Sequence, residues 1–147
     1  MLFAMNLAYS KVKINLPAFA NLSVHSRGFA ADGSQWRPLV KTSRGSMSHF
    51  TLLPGATSLA MHQKVVQEIW YFLSGDGQVW LKYKGRSKVY NVHRGSAVAL
   101  PNNVSFQFRN LSKTKPLTFV EVTIPAWPGN QIISKTKGIW QAKDEDK

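Results

Sequence analysis

Carboxyl and imidazole side chains are the groups in this chain that could move a proton or bind a metal ion, and they are few. The 147 residues include seven Asp and Glu, four His and no Cys. Without cysteine the chain has no disulfide, no thiolate ligand and no thiol nucleophile. The acids before the tail are Asp32, Glu68, Asp76 and Glu121. No spacing of Ser, His and Asp suggests a triad, and no glycine cluster precedes a helix as in a phosphate loop.

Glu68 is the acid whose surroundings best suggest chemistry. It begins the apolar run Glu68-Ile69-Trp70-Tyr71-Phe72-Leu73, in which alternate residues of a strand share one face. An inward carboxyl without a metal is desolvated, so its pKa should rise, and a raised carboxyl can act as general acid or base. Its candidate partners are His62, His49 or a nearby Arg.

Glu121 and the histidines other than His62 allow more than one interpretation. Glu121 shares a strand face with Phe119, so it could be a second inward carboxylate, although the sequence favours an outward pairing with a Lys. His49 could line a cavity, but a satisfied core or interface histidine is the favoured interpretation. His25 and His93 lie beside loop or turn residues and are expected at the surface.

Short apolar runs separated by Gly, Pro, Asn and Ser predict an all-β domain with no helix of useful length. About ten strands without helices need protected edges, which a closed or jelly-roll barrel supplies. The predicted strands cover residues 11–16, 37–41, 46–53, 58–63, 68–73, 78–83, 88–92, 97–100, 105–109 and 117–124.

The predicted organisation is an N-terminal arm with one strand over residues 1–30, a barrel over 31–128 and a tail over 129–147. We expect Ile139 and Trp140 to pack the tail on the barrel and the last residues to be disordered. No uncharged apolar run is long enough to span a membrane, and the apolar start lacks the flanks of a secretory signal. A cytoplasmic location is therefore expected.

The net charge of +12 favours anionic partners. The densest basic set is Lys82, Lys84, Arg86, Lys88 and Arg94, on strand-like stretches where alternate residues share a face. It could be a basic stripe for nucleic acid, but no nucleic-acid motif accompanies it. A solvated edge that deters aggregation is the favoured interpretation, so nucleic-acid binding is not expected.

Two glycine-bounded segments resemble the two motifs of the cupin superfamily. In the first, Gly55, Glu68 and Gly75 match the pattern Gly, five residues, His-x-His, three or four residues, Glu, six residues, Gly. In the second, Gly95, Pro101 and Asn110 match Gly, five residues, Pro-x-Gly, two residues, His, three residues, Asn. The resemblance, closest to small bacterial single-domain cupins, implies a double-stranded β-helix (jelly-roll) barrel. Some of those proteins are labelled sugar-phosphate-isomerase-like.

The departures from this pattern concern the metal ligands that the family draws from the two motifs. The three His positions carry Met61, Gln63 and Phe106, and Glu68 alone remains. His62 lies one step out of register, which on a regular strand turns its side chain to the opposite face, although a bulge could return it. A divalent site needs three or more converging ligands, so we expect no metal and no cofactor.

The resulting hypothesis is a metal-independent barrel with a small-molecule cavity in which Glu68, assisted by His62, performs an isomerase or lyase step. The ligand contacts would come from an apolar, aromatic set: Met61, Gln63, Trp70, Phe106, Phe108 and His49. We expect the side chains at 61, 63, 68 and 106 to meet in one hollow, with a barrel filled by side chains as the alternative. The ligand is expected to be a small organic molecule, and the positive charge of the chain would suit an anionic one.

Three other functions stay open at this stage: a non-catalytic ligand sensor or storage module, a metal-dependent enzyme with a reduced site, and a binder of nucleic acid or acidic proteins. Resemblance to dimeric cupins also implies a homodimer, in which strand 11–16 could exchange between protomers.

Overall fold

The computed structural model describes residues 18–142. Eleven strands and one short 3₁₀ helix make up its regular structure. The elements in chain order are β1 (Gly28–Phe29), β2 (Gln35–Lys41), β3 (Ser46–Leu52), β4 (Met61–Gln63), β5 (Gln67–Ser74), β6 (Asp76–Tyr83), β7 (Arg86–His93), β8 (Ala97–Leu100), β9 (Val104–Asn110), β10 (Leu117–Ile124), the 3₁₀ helix (Asn130–Ile132) and β11 (Ile133–Lys135).

The strands form two antiparallel sheets. The first has the order β1-β2-β3-β10-β5-β8 and the second the order β11-β4-β9-β6-β7. Consecutive strands alternate between the sheets at several points, as expected for a jelly roll, so the predicted all-β class is confirmed. No helix in the described part of the chain is long and apolar enough to cross a membrane.

Strand β5 shows how the sequence selects the inner face. Its even-numbered residues Glu68, Trp70 and Phe72 are buried, whereas Ile69 and Tyr71 are exposed on the other side. This is the period-two alternation of a strand with one face in the core. Glu68 therefore enters the interior because it is in phase with two large aromatic residues.

Aromatic rings join the two sheets in the core. The Trp70 ring of the first sheet lies edge-on to Phe106 and Phe108 of the second, with centroids 5.3 Å and 5.5 Å away. It also stacks on Phe119 of β10 at 4.8 Å. Edge-to-face and offset pairs at these distances stabilise beyond their buried area. The middle of the barrel is consequently filled by side chains.

Several strands begin or end at residues other than the predicted ones. Strands 97–100 and 117–124 are confirmed without change, whereas the predicted strand 58–63 is reduced to β4 over Met61–Gln63. Residues 20–36, where no strand is predicted, contain β1 and the start of β2, and the segment after 128 adds β11 beside β4. Predicted strand 11–16 and the acidic end of the tail lie outside the described residues.

Two turns contain residues with a positive φ. At Gly75, between β5 and β6, φ is +92° and an added Cβ would lie 2.6 Å from the Pro116 carbonyl oxygen. In the β6–β7 hairpin, Lys84 and Gly85 both have positive φ, as the primed hairpin turns require. The hairpin carries all of the predicted basic set except Arg94, and Lys88 lies over the exposed Tyr90 ring.

The segment that follows β11 is fixed to the second sheet by Gln107. Its Oε1 accepts hydrogen bonds from the N–H groups of Ile139 and Trp140, and its Nε2 donates to the Trp140 carbonyl oxygen at 2.8 Å. The Arg109 guanidinium lies 4.4 Å from the centre of the Trp140 ring. Trp140 thus packs on the barrel, while Ile139 stays half-exposed.

Candidate functional site

Glu68 is a buried carboxyl held in place by its own strand. Its side chain is 2% exposed, and Trp70 Nε1 donates a hydrogen bond to Glu68 Oε2 at 2.7 Å. Burial raises the pKa of Glu68 to about 7, although the hydrogen bonds with Trp70 and Glu121 act in the opposite direction. A carboxyl that titrates near neutrality can both take and give a proton at the pH of a cell.

Glu121 lies beside Glu68 on the neighbouring strand. In the β10–β5 register it is opposite Trp70, and its half-buried side chain points to the same face of the sheet as that of Glu68. Two adjacent buried carboxylates repel each other, so the folded state favours keeping a proton on the pair. Burial, together with the charges of Glu68 and Asp32, raises the pKa of Glu121 well above its ordinary value.

The favoured outward pairing of Glu121 with a Lys is therefore wrong. The signal for the inward position was present, since Glu121 shares the β10 face with Phe119 and Thr123, which are both buried. A charged residue was expected outside because burial of an unpaired charge is costly. The shared proton removes part of that cost.

A third carboxyl, which the sequence did not single out, comes from the turn between β1 and β2. Asp32 is 8% exposed, and its Oδ1 accepts hydrogen bonds from the Ser34 backbone N–H at 2.8 Å and from Ser34 Oγ at 2.6 Å. Burial raises its pKa, against the effect of the Ser34 hydrogen bonds. The Asp-Gly-Ser sequence of this turn was the available signal.

The three carboxyls face one cavity of about 1000 Å³. Aromatic side chains form much of its wall, namely Phe29, Trp36, Phe50, Phe106 and Trp127. Exposed His25, Arg27 and Lys41 lie on its rim. The cavity thus has an acidic, buried floor and a basic, solvated edge, which is a polarity that a small organic ligand could match.

Arg37 holds one side of the cavity in place. Its Nε donates to the Ser23 carbonyl oxygen at 3.0 Å, and its Nη2 donates to that of Val24 at 3.2 Å. Its Nη1 also donates to Thr51 Oγ1 at 3.3 Å. These bonds position the segment that carries His25 and Arg27 at the rim.

The predicted hollow of side chains 61, 63, 68 and 106 is only partly formed. Glu68 and Phe106 line the cavity, whereas Met61 and Gln63 are buried beside it without lining it. Gln63 instead donates to the carbonyl oxygens of Val66 and Pro101, and no donor among residues 18–142 reaches its Oε1.

Trp70 and Phe108, which we also expected to contact a ligand, belong to the filled core and not to the cavity wall. Both interpretations of the interior are thus partly correct. The centre of the barrel is filled, and the cavity lies to one side of it.

The two histidines predicted near the site lie elsewhere. His62 is half-buried, with Nδ1 2.9 Å from Ser105 Oγ and Nε2 3.0 Å from Asn103 Oδ1. It faces away from the interior because its neighbours Met61 and Gln63 face inward, and no bulge changes this alternation. His49 is 7% exposed but does not line the cavity, and burial, with the charge of Arg37, lowers its pKa.

The residues present do not fit the metal site of the cupin pattern. Phe106 offers no donor atom at the position of the second-motif His, and Gln63 uses its side-chain nitrogen on two carbonyls. Within residues 18–142, no group of three His, Asp or Glu side chains is arranged to hold a metal ion. Asn103 takes the place of the motif glycine with φ of +62°, a left-handed conformation that Asn tolerates.

Both the sequence and the fold of this chain resemble those of known proteins. The model of the Cupin domain matches residues 48–123, and no curated protein matches the chain. Among solved structures, oxalate decarboxylase from Bacillus subtilis at pH 4.6 gives a TM-score of 0.66 at 18% identity, over 80% of this chain and 32% of that chain.

Two further solved structures show the same fold. The Lactobacillus farciminis oxalate decarboxylase formate complex gives 0.58 at 18% identity over 67% of this chain and 30% of that one. The Schizosaccharomyces pombe Cnp3 cupin domain gives 0.57 at 12% identity over 72% and 64%. The chain spans about a third of the length of these oxalate decarboxylases. Because the domain model covers more than half of the sequence, the chain belongs to the cupin family.

Proposed function

We propose that this protein is a metal-independent cupin that binds a small organic molecule in the Glu68 cavity and moves a proton within it. The observation that carries the proposal is that Glu68 and Glu121, on paired strands, both line one aromatic-walled cavity of about 1000 Å³. Two adjacent carboxyls that titrate together can divide acid and base roles between them.

The pair supports an isomerisation of an α-hydroxycarbonyl compound. Ionised Glu68 takes the proton from the hydroxyl-bearing carbon, and protonated Glu121 gives its proton to the carbonyl oxygen, which yields an enediol. Glu68 then returns its proton to the former carbonyl carbon, and the other hydroxyl gives its proton to Glu121 as it becomes the new carbonyl. The step balances without an oxidant or a metal.

Trp70 and the cavity walls supply the conditions for this chemistry. The Trp70 N–H stabilises the ionised form of Glu68, which is the form that accepts the proton. The aromatic wall reduces contact of the intermediate with water. His62 has no role in this proposal, because both of its ring nitrogens contact Asn103 and Ser105.

Solvent deuterium incorporation tests the proposal. The chelator-treated protein is incubated in D₂O with glucose 6-phosphate, fructose 6-phosphate and dihydroxyacetone phosphate, and the loss of the C–H signal next to the carbonyl is followed by ¹H NMR. We expect exchange with at least one compound, abolished in Glu68→Gln and Glu121→Gln but retained in Asp76→Asn, which changes an exposed acid outside the cavity. Exchange that persists in Glu68→Gln, or that depends on an added metal, would contradict it.

A non-catalytic ligand sensor is the second candidate, favoured by the absence of His62 from the cavity wall. Ligand binding without any exchange, with the same affinity in Glu68→Gln, would favour this function over catalysis.

We also propose that the protein is a homodimer through the outer face of the first sheet. Ile69 pairs with Val122 and Ala99, and Tyr71 pairs with Val120 and Ala97, so that two apolar rows cross three strands. Ile69 and Tyr71 are 49% and 48% exposed. In a chain of charge +12, an uncharged face of this kind marks an interaction surface, and a second copy would cover it symmetrically.

A further inference from the structure

The cavity floor contains carboxyls without a positive counter-charge. The charges that act on Glu121 are those of Glu68 and Asp32, and the charge that acts on Glu68 is that of Asp32. Within the described part of the chain, no Lys or Arg side chain forms a hydrogen bond or ion pair with any of the three. Buried charges are normally paired, because an unpaired one is costly in a medium of low polarity.

Asp32 is the carboxyl that leaves an acceptor free for a ligand. Its Oδ1 is used by both Ser34 donors, but among the described residues nothing donates to its Oδ2. The side chain is more than nine-tenths buried and lines the cavity. An unused carboxyl oxygen in this position is a site for a strong donor, because a hydrogen bond with an ionised partner is about twice as strong as one between neutral groups.

The walls and the rim of the cavity also indicate which kind of ligand could donate to Asp32. Aromatic walls, among them Trp36 and Trp127, attract a cation more than a neutral hydroxyl. Arg27 and Lys41 lie exposed at the rim, so an anionic group of the same ligand would be stabilised there. The two ends of the cavity therefore favour opposite charges.

We propose that the cavity binds a small organic zwitterion, whose ammonium group lies against Asp32 Oδ2 next to Glu121 and whose anionic group points to Arg27 and Lys41. The inference rests on the proposed function, because it uses the same cavity and names the class of its ligand. Glu68 stays free to act on a carbon of the bound molecule.

Matched compounds test the charge of the ligand on the unmodified full chain. One series is glucosamine 6-phosphate, glucose 6-phosphate and glucosamine; the other is 4-aminobutyrate, 4-hydroxybutyrate and butylamine. In at least one series, calorimetry should show the zwitterion binding about tenfold or more tightly than the compound with a hydroxyl in place of the amine. The compound without the anionic group should also bind more weakly. If no amine binds more tightly than its hydroxyl partner, the inference is overturned.

Variants identify the groups responsible. Asp32→Asn keeps an oxygen for Ser34 but removes the charge, so the preference for the amine should fall to about threefold or less. Asp76→Asn makes the same chemical change at an exposed acid outside the cavity and should leave the preference intact. Lys41→Met should weaken binding of the phosphate-bearing or carboxylate-bearing compounds, whereas Lys113→Met, also exposed but outside the cavity, should not. An amine preference that is unchanged in Asp32→Asn overturns the assignment.

The outcomes separate this inference from the proposed function. Equal binding of amine and hydroxyl compounds, with deuterium exchange that depends on Glu68, would overturn the zwitterion and leave proton transfer standing. Amine-selective binding without exchange would support the zwitterion and overturn catalysis. No binding by any compound of either series would count against the zwitterion.

Discussion

At the scale of single residues, the chemistry depends on carboxyls that keep protons in the folded state. The ordinary pKa of a Glu side chain is 4.5, and burial raises that of Glu68 to about 7. The folded protein therefore binds this proton more tightly than the unfolded chain does. The stabilisation from the proton is complete below pH 4.5 and is lost as the pH rises to about 7.

The first prediction is that the free energy of unfolding falls between pH 4.5 and 7, by up to about 1.4 kcal/mol per pH unit. Glu68→Gln should reduce this dependence, because the amide cannot ionise, and the raised pKa values of Glu121 and Asp32 keep the rest of it. Urea unfolding at pH 5 and pH 7.5 measures the difference. Asp76→Asn, at an exposed acid, should retain the wild-type difference. A difference of the same size in Glu68→Gln would disprove this account of Glu68.

The second prediction concerns the donor to Glu68. Trp70→Phe keeps an aromatic ring but removes the N–H that lies 2.7 Å from Glu68 Oε2, so the pKa of Glu68 should rise by about one unit. The chain has three Glu residues, so ¹³C NMR of labelled Glu carboxyls can follow each titration. Trp36→Phe is the control, since Trp36 Nε1 donates to Ser48 Oγ instead. Equal shifts in the two variants would contradict the role of Trp70.

Sequence reasoning identified part of this site. The inward position of Glu68 was predictable from its phase with Trp70 and Phe72. The position of Glu121 was not predictable. Its phase with Phe119 indicates an inward side chain, whereas the cost of burying a charge indicates an outward one. That cost depends on Glu68, which is 53 positions away in the chain. Asp32 enters the cavity through a turn, where no periodicity reports which way a side chain points.

At the scale of the elements, strands β5 and β10 position both glutamates. Their central pairing, Glu121 opposite Trp70, brings residues from distant parts of the chain to one face of the first sheet. Strand phases could be predicted because apolar residues alternate over seven or eight positions. The ends of short strands could not be predicted. Strand 58–63 was predicted too long because Ser58 and Ala60 are buried in an irregular segment before Met61.

The third prediction concerns Gly75, in the turn between β5 and β6. Gly75→Ala would place a Cβ 2.6 Å from the Pro116 carbonyl oxygen and 2.8 Å from Leu117 Cα, at a positive φ. We expect a loss of about 3 kcal/mol or more in the free energy of unfolding. Gly85→Ala is the matched control, because it has a positive φ but open space around the added methyl group.

The loss in Gly85→Ala should be about 1 kcal/mol, from the backbone conformation alone. Chemical denaturation of both variants measures the two losses. Equal losses would show that the contact with Pro116 and Leu117 is unimportant.

At the scale of the whole molecule, the basic surface and the uncharged surface belong to different sheets. The β6–β7 hairpin is basic and solvated, whereas the outer face of the first sheet presents Ile69, Tyr71 and Leu73 to solvent. The sequence alternation predicted that these residues lie opposite the buried ones. It could not predict that Val120, Val122 and two alanines extend the same surface, because this depends on strand register.

The fourth prediction is that the protein is a dimer whose association depends on this face. Ile69→Lys combined with Tyr71→Lys should give a monomer, because each lysine would be buried without a partner in the interface. Light scattering after size exclusion measures the mass in solution. Val89→Lys, at a 39% exposed residue of the second sheet, is the control and should stay dimeric. A monomeric wild-type protein would contradict the proposal.

The placement of the acids has a consequence for how ligands reach the protein. Three of the four acidic residues between 18 and 142 are inside the cavity, so few negative charges remain outside to offset the Lys and Arg side chains. An approaching anion therefore meets an attractive field well before contact. Added salt should slow its capture by screening this field, while the lifetime of the bound complex, set by short-range contacts, should change little.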